Sequence, residues 1–487
     1  MGRRIVIAGG DVITMDPGLG DIPGGSVLIE GDTIVAVGSD LEVRDAEVID
    51  ASGMIVMPGM VDTHRHTWQA LLRGIASDWT LADYLRGIRM TISPQLSAED
   101  VHLGNYLGAL DAVAAGVTTI LDFANCIVTP EHADAAVGGL RDAGVRAVFA
   151  YGFSSFRPPE KDAGFAAHAD RLAHAAKVRE AHFASDAGLL SFGVSLTEFG
   201  VIPFDRTIAE FDTARELDAL VTAHTAANPG SLLTSGVDLI HERGRLGPRQ
   251  IHAHAHACDA DELKMIRDTG GAVSCTPETE LSWTDAPPAM HRLRDLGMQP
   301  SLGTDIPSQV SGDLFATMRL ALAVARHEEN KAASNRANAA GGDRQHQLIE
   351  AREAVQWATE FGAEALGLGA RIGSLTPSKQ ADVVLVDTRR AGWCAAERDT
   401  GTLVLQANAG DVDTVLVGGR IRKQRGELVG VDVCTLADRA ARARERLLDA
   451  VRVQGPLLAT TDPGYRREVE EMCLRNLNAG QNIKPSR

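Results

Sequence analysis

The sequence predicts an α/β chain built around a (β/α)8 barrel. Three observations predict it: eight short apolar runs separated by helical stretches through the middle, β-rich segments of similar texture at both ends, and ionisable residues gathered where apolar runs stop. Eight strand–helix units over roughly 300 residues are the length and order of such a barrel. Its chemistry belongs at the carboxyl ends of the strands.

The first 57 residues alternate short β-runs with Gly and Asp turns, in "RIVIAGG", "GSVLIEGDTIVAVG" and "AEVIDASGMIVMPG". Apolar alternation without a helical period reads as a small antiparallel unit. The same texture returns in "ADVVLVDTR" and "GDVDTVLVGGRIRK", so the two ends are expected to form one β-domain around a central insertion. The barrel runs begin at "MIVMPGMVDTHRH" and continue with "GVTTILDFAN", "VRAVFAYGF", "LLSFGVSLTEFG", "DALVTAHTA", "RQIHAHAH", "GAVSCTPETE" and "QPSLGTDIP". Expected boundaries are 1–57 and 369–430 for the β-domain, 58–368 for the barrel and 431–487 for a helical extension. The polar "NKAASNRANAAGGDRQHQ" (330–347) reads as a mobile loop, and the final "NAGQNIKPSR" as a frayed end.

With 48 basic against 65 acidic residues the formal charge is −17, which argues against a nucleic-acid backbone or an anionic membrane as partner. A small uncharged or cationic ligand fits better. No run of about 18 apolar residues could span a bilayer, and the start lacks the apolar core of an export signal. A cytoplasmic location is the expectation. Six scattered cysteines (126, 258, 275, 394, 434, 473) lack the paired spacing of a cysteine-rich zinc site and read as reduced thiols. The C-terminal helices offer a surface for a homodimer or higher homo-oligomer.

"VDTHRH" puts His64 and His66 two apart at a strand end, where both imidazoles can reach one divalent cation. Two solvated loop histidines are the plain alternative. "VTAHTA" ends another apolar run at His224, and "SLGTDIPS" another at Asp305. Three neutral nitrogens and a carboxylate make a plausible Zn2+ or Fe2+ shell with a position left for water. "QIHAHAHACDADEL" adds His252, His254 and His256, which strand alternation sends to one face and cannot rank.

These motifs, with "MPGMVDTHRHTWQALLRG", "SLGTD" and "EAVQWATEFGAEALGLGARIGSLTPSKQADVVLVD", resemble the amidohydrolase superfamily over residues 1 to 430. The similarity is to the branch of atrazine and ethylammeline chlorohydrolases, guanine deaminase and S-adenosylhomocysteine/methylthioadenosine deaminases. It implies a distorted barrel, a β-sandwich built from both chain ends and one catalytic divalent metal, Zn2+ first and Fe2+ second. It makes His64, His66, His224 and Asp305 the ligands, with Asp305 also receiving a proton. Counting back from Asp261-Glu262-Leu263 assigns the catalytic histidine after the sixth strand to His254. His252 is then expected one pleat deeper in the barrel, and His256 in the loop.

The implied reaction is attack of metal-bound hydroxide on an sp2 carbon of a nitrogen heterocycle, read first as deamination. Hydrolytic dechlorination or opening of a cyclic C–N bond is the second reading, and a non-catalytic binding protein on the same fold the third. The branch's deaminases usually carry His-x-x-Glu after the fifth strand, but position 227 here is Ala. Glu198, Glu278 and Glu280 are the candidate replacements. Ammonia leaves only after protonation whereas chloride does not, so this departure weighs more against deamination. Trp68, Gln69 and Arg73 are expected substrate contacts, as are Glu198 and Glu280. Trp79 and Trp283 offer an apolar wall, with Phe123, Asn125 and Cys126 behind the ligands.

Overall fold

The computed structural model describes residues 3–39, 41, 43–153, 164–185, 188–227, 235–340, 349–458 and 465–478. Its strands are β1 (Arg4–Val12), β2 (Ile22–Glu30), β3 (Thr33–Gly38), β4 (Glu47–Asp50), β5 (Met54–Pro58), β6 (Met60–Arg65), β7 (Val117–Ala124), β8 (Arg146–Gly152), β9 (Leu190–Ser195), β10 (Leu220–Thr225), β11 (Gln250–His254), β12 (Ala272–Cys275), β13 (Ser301–Leu302), β14 (Val383–Asp387), β15 (Val412–Val417), β16 (Arg420–Gln424) and β17 (Glu427–Leu428).

Strands β6 to β13 form an eight-stranded sheet hydrogen-bonded in chain order, parallel throughout. The ring is completed where Asp305 N–H donates to His64 O at 2.9 Å and His66 N–H to Asp305 O at 2.8 Å. All eight expected barrel strands are present. Strand β7 is buried along its whole length, which is why "VTTILDFA" reads as a continuous rather than an alternating run. Val61, Leu121, Val148, Leu220 and Ile251 meet inside the barrel. Ile120, Phe149, Val221 and Val273 face the surrounding helices.

The remaining nine strands form one mixed sheet in which β5 pairs antiparallel with β14 and parallel with β1, so both chain ends build it. The chain passes from this sheet into the barrel through Gly59 alone. A Cβ there would lie 2.1 Å from Thr118 Oγ1, so no larger residue fits between β5 and β6. Arg146 at the start of β8 joins the two bodies by a buried bidentate pair with Asp382 (2.8 and 3.0 Å).

One expectation needs correction. Residues 330–340 lie in a long helix, Leu314–Ala340, because Ala, Lys and Arg between the asparagines are good helix formers; the rest of the expected loop, 341–347, falls outside the described residues. The C-terminal helix Val433–Gln454 packs on the barrel side, burying Ala443, Leu447 and Val451 and pairing Arg446 with Asp100 at 3.0 Å. The expected frayed end lies outside the described residues from 479 onward. Among the described residues no helix is long and apolar enough to cross a membrane.

Candidate functional site

The candidate site lies at the carboxyl ends of β6, β10 and β11 and just after β13. There the rings of His64, His66, His224 and His254 cluster, with centroids 5.0 Å apart for His64–His66, 5.1 Å for His64–His224 and 5.2 Å for His64–His254. His64 Nε2 lies 3.3 Å and His66 Nε2 3.5 Å from Asp305 Oδ1. His224 Nε2 lies 3.3 Å from His66 Nε2.

These donors fit a cation. Neither ring nitrogen of His64 has a hydrogen-bond partner of normal geometry, although the side chain is wholly buried. His66 gives its Nδ1 hydrogen to Phe123 O at 3.1 Å, which leaves a lone pair on Nε2. Burial holds the pKa of His64 down at about 4 and that of His66 well below the ordinary value, so both rings are neutral ligands near pH 7. Burial alone would raise Asp305; His64, His254 and His66 outweigh it and hold the carboxyl well below the usual carboxylate range. Inward-facing lone pairs and a carboxylate, buried together, call for a positive charge among them.

The backbone at this site is unusual. His254 (φ +72), Ala255 (φ +51) and Asp305 (φ +66) all occupy the left-handed region that non-glycine residues seldom adopt. At His254 this corrects the reading of the triplet. Ile251 belongs to the barrel interior, so alternation sends His252 to the opposite face, against the helix Ala260–Asp268. There His252 Nδ1 meets Thr225 Oγ1 at 3.0 Å, and Gly271 lies beside its ring. His252 is therefore not one pleat deeper in the barrel. The left-handed turn breaks alternation and swings only the next histidine, His254, toward His64. His256 sits in the following loop, with its pKa lowered to about 3 by burial and by the His254 and Arg292 charges.

Other expected residues divide. Glu198 reaches the site, with Oε1 3.4 Å from His224 Nδ1 and its side chain one-fifth exposed (20%). Glu280 is buried behind His254, its Oε1 3.5 Å from Nδ1. Glu278 faces Thr317 Oγ1 at 3.3 Å instead. Trp68 is buried, with its indole N–H on Asn125 Oδ1 at 3.0 Å. Gln69 is buried between Tyr84 Oη (2.8 Å) and Ser308 Oγ (2.6 Å), so its amide is already used within the protein. Arg73 does not join the site: it pairs with Asp111 at 3.3 Å, and its carbonyl accepts Arg444 of the C-terminal helix at 3.2 Å. Trp283 lies tilted against Tyr84, ring centroids 5.1 Å apart, and its N–H binds Trp79 O at 2.9 Å. Cys126 is buried, and burial pushes its thiol up, away from nucleophilic form.

Three supporting groups went unread in the sequence. Asp62 accepts the Thr304 N–H at 3.1 Å and its hydroxyl at 2.5 Å, tying β6 to the residue before Asp305. Buried Arg65 pairs with Asp62 (3.4 Å) and Asp111 (2.8 Å). Thr276 bonds His254. The Asp two residues before His64 and the Thr before Asp305 were the available signals.

Barrel and donor cluster together define a (β/α)8 hydrolase scaffold with a candidate metal centre. The chain belongs to the amidohydrolase family, whose profile matches residues 55–422. It is 28% identical over 460 residues to a 5'-deoxyadenosine deaminase of Methanosarcina mazei, covering 92% of this chain and 99% of that one. It is also 28% identical over 435 residues to a 5-methylthioadenosine/S-adenosylhomocysteine deaminase of Symbiobacterium thermophilum, covering 86% and 93%. Among solved structures, a zinc-bound adenosine deaminase from Xanthomonas campestris superposes with a TM-score of 0.80 at 22% identity, over 92% of this chain and 99% of that one. A zinc complex of the atrazine chlorohydrolase from Arthrobacter aurescens does so with 0.75 at 21% identity, over 90% and 100%. At these identities the two structures speak for the fold.

Proposed function

We propose that this protein is a metal-dependent aminohydrolase that replaces the amino group on an sp2 carbon of an adenine-type nucleoside by oxygen and releases ammonia. The observation that carries the reading is that two groups of close-set donors, His64–His66–His224 and His64–His254–Asp305, share His64 at the mouth of the barrel. The activities for which the deaminase relatives are named, relatives that match most of the chain, supply the substrate class.

A divalent ion held by His64, His66, His224 and Asp305, Zn2+ first and Fe2+ second, would acidify water and offset negative charge developing on the attacked ring. Asp305, kept ionised, accepts the proton that the attacking water loses. His254 orients that water through its inward-facing nitrogen. The leaving amine must then be protonated, and Ala227 cannot do it. Glu198 is the group we propose for this step, taking up a proton from solvent and passing it to the amine, because it combines contact with solvent and a place 3.4 Å from His224, whereas Glu280 is walled off behind Thr276.

Hydrolytic dechlorination is the second reading, favoured by Ala227 alone. Zinc-reconstituted enzyme is to be assayed for ammonia and for chloride separately, on 5'-deoxyadenosine, methylthioadenosine, S-adenosylhomocysteine, adenosine and a chlorotriazine. Ammonia from a nucleoside supports the proposal; chloride release without ammonia replaces it with the second reading.

A further inference from the structure

Behind the candidate centre, a hydrogen-bond chain runs from His254 into the protein interior. His254 Nδ1 lies 2.8 Å from Thr276 Oγ1. Glu280 Oε1 accepts the Thr276 N–H at 2.8 Å and the Thr276 hydroxyl at 3.3 Å. Its other oxygen, Oε2, is buried without a hydrogen-bond partner, and the residue is 1% exposed. A buried carboxylate with one oxygen unpartnered is costly, so a position that keeps one calls for a use.

A carboxylate can only accept. With the Thr276 O–H donating toward Glu280, a lone pair of the Thr276 oxygen faces His254, and His254 Nδ1 is then the donor. The Thr279 hydroxyl, 2.9 Å from that of Thr276, does not reverse the order, because its own hydrogen goes to Thr276 O at 3.1 Å. The surrounding backbone is held to suit. His254 and Ala255 are left-handed, and Arg292 clamps the loop beyond them by donating to His256 O and to Cys258 O, the latter at 2.6 Å.

We infer that Glu280 and Thr276 are positioning residues that hold the ring hydrogen of His254 on Nδ1, so that, whenever the ring is neutral, Nε2 presents a lone pair to the reacting centre. The inference rests on the reading that His254 faces that centre. Glu280, expected against the substrate, then acts only through His254. A lone pair at Nε2 accepts a hydrogen bond from the attacking water and turns the water's own lone pair toward the substrate carbon. The opposite tautomer would donate at Nε2 and misdirect it.

The test reads the tautomer first and needs no substrate, so its failure is distinct from failure of the deaminase assignment. Zinc-loaded enzyme labelled with 15N-histidine, with His254 assigned by its loss in His254→Gln, is expected at mildly alkaline pH to show a protonated Nδ1 and an unprotonated Nε2. Thr276→Val should lose that preference, and Thr276→Ser should keep it. On whichever substrate the panel identifies, Thr276→Val should lower kcat about 10- to 100-fold with little change in KM or zinc content, and Thr276→Ser should restore the rate. A proton on Nε2 in the unaltered enzyme overturns the inference, as does Thr276→Val with unchanged kcat.

Discussion

His66 Nε2 and His224 Nε2 face each other across 3.3 Å, and His66 has already given its only ring hydrogen to Phe123 O. Glu198 Oε1, 3.4 Å from His224 Nδ1, draws the His224 ring hydrogen to that side, and two facing lone pairs are then stable when a cation shares them, which is the physical basis for assigning a metal here. Removing either ring should empty the centre. His224→Ala and His66→Ala are expected to purify folded, with zinc falling from near one per chain to a small fraction and with ammonia release lost. Undiminished zinc in both variants would refute the donor set.

Against the pull of burial, three neighbouring histidines hold Asp305 ionised. Asp305→Asn keeps the shape and removes the proton acceptor. The expected loss in kcat is about 10²- to 10⁴-fold, the range of general acid–base catalysis, measured by steady-state ammonia release. Within threefold of the unaltered rate, the acceptor would have to be another group.

Outward-facing His252 makes stability pH-dependent. Burial lowers its pKa from 6.5 to about 4 in the folded chain. Above pH 6.5 the ring is neutral in both states and costs nothing. As pH falls below 6.5 the unfolded chain takes up a proton that the folded one refuses until about pH 4, so stability drops through that window by roughly 3 kcal/mol. Urea unfolding of metal-free protein should show this slope, and His252→Asn should flatten it. A variant with the same slope would assign the acid loss elsewhere.

The Arg146–Asp382 pair couples the barrel to the terminal sheet at a site almost without solvent. Asp382→Ala should cost about 3–5 kcal/mol in urea unfolding, because it strands a buried guanidinium. Replacing both residues together by Met and Leu should recover most of that loss. If the double variant is no better than the single one, packing rather than charge explains the position.

The barrel and the five ionisable residues at its mouth were legible because each sits where an apolar run stops, a feature that short-range pattern carries. Strand direction at His252 was not legible. Simple alternation puts it beside His254, and the left-handed turn that separates them follows from closing the loop over the site, not from local preference. Arg73 was misread for a similar reason: its partner Asp111 lies on the helix Ala98–Ala114. Thr276 and Glu280 stood in a motif already noted, "TPETE", but only the folded chain shows that they lie against His254. The helix through 330–340 was hidden by asparagines among good helix formers.

The most direct test of the central claim is to titrate metal-free enzyme with zinc while following ammonia release from 5'-deoxyadenosine. Activity is predicted to rise linearly, to saturate near one equivalent per chain, and to stay absent in His224→Ala at every zinc level. Full ammonia release from chelator-treated, metal-free protein would contradict it.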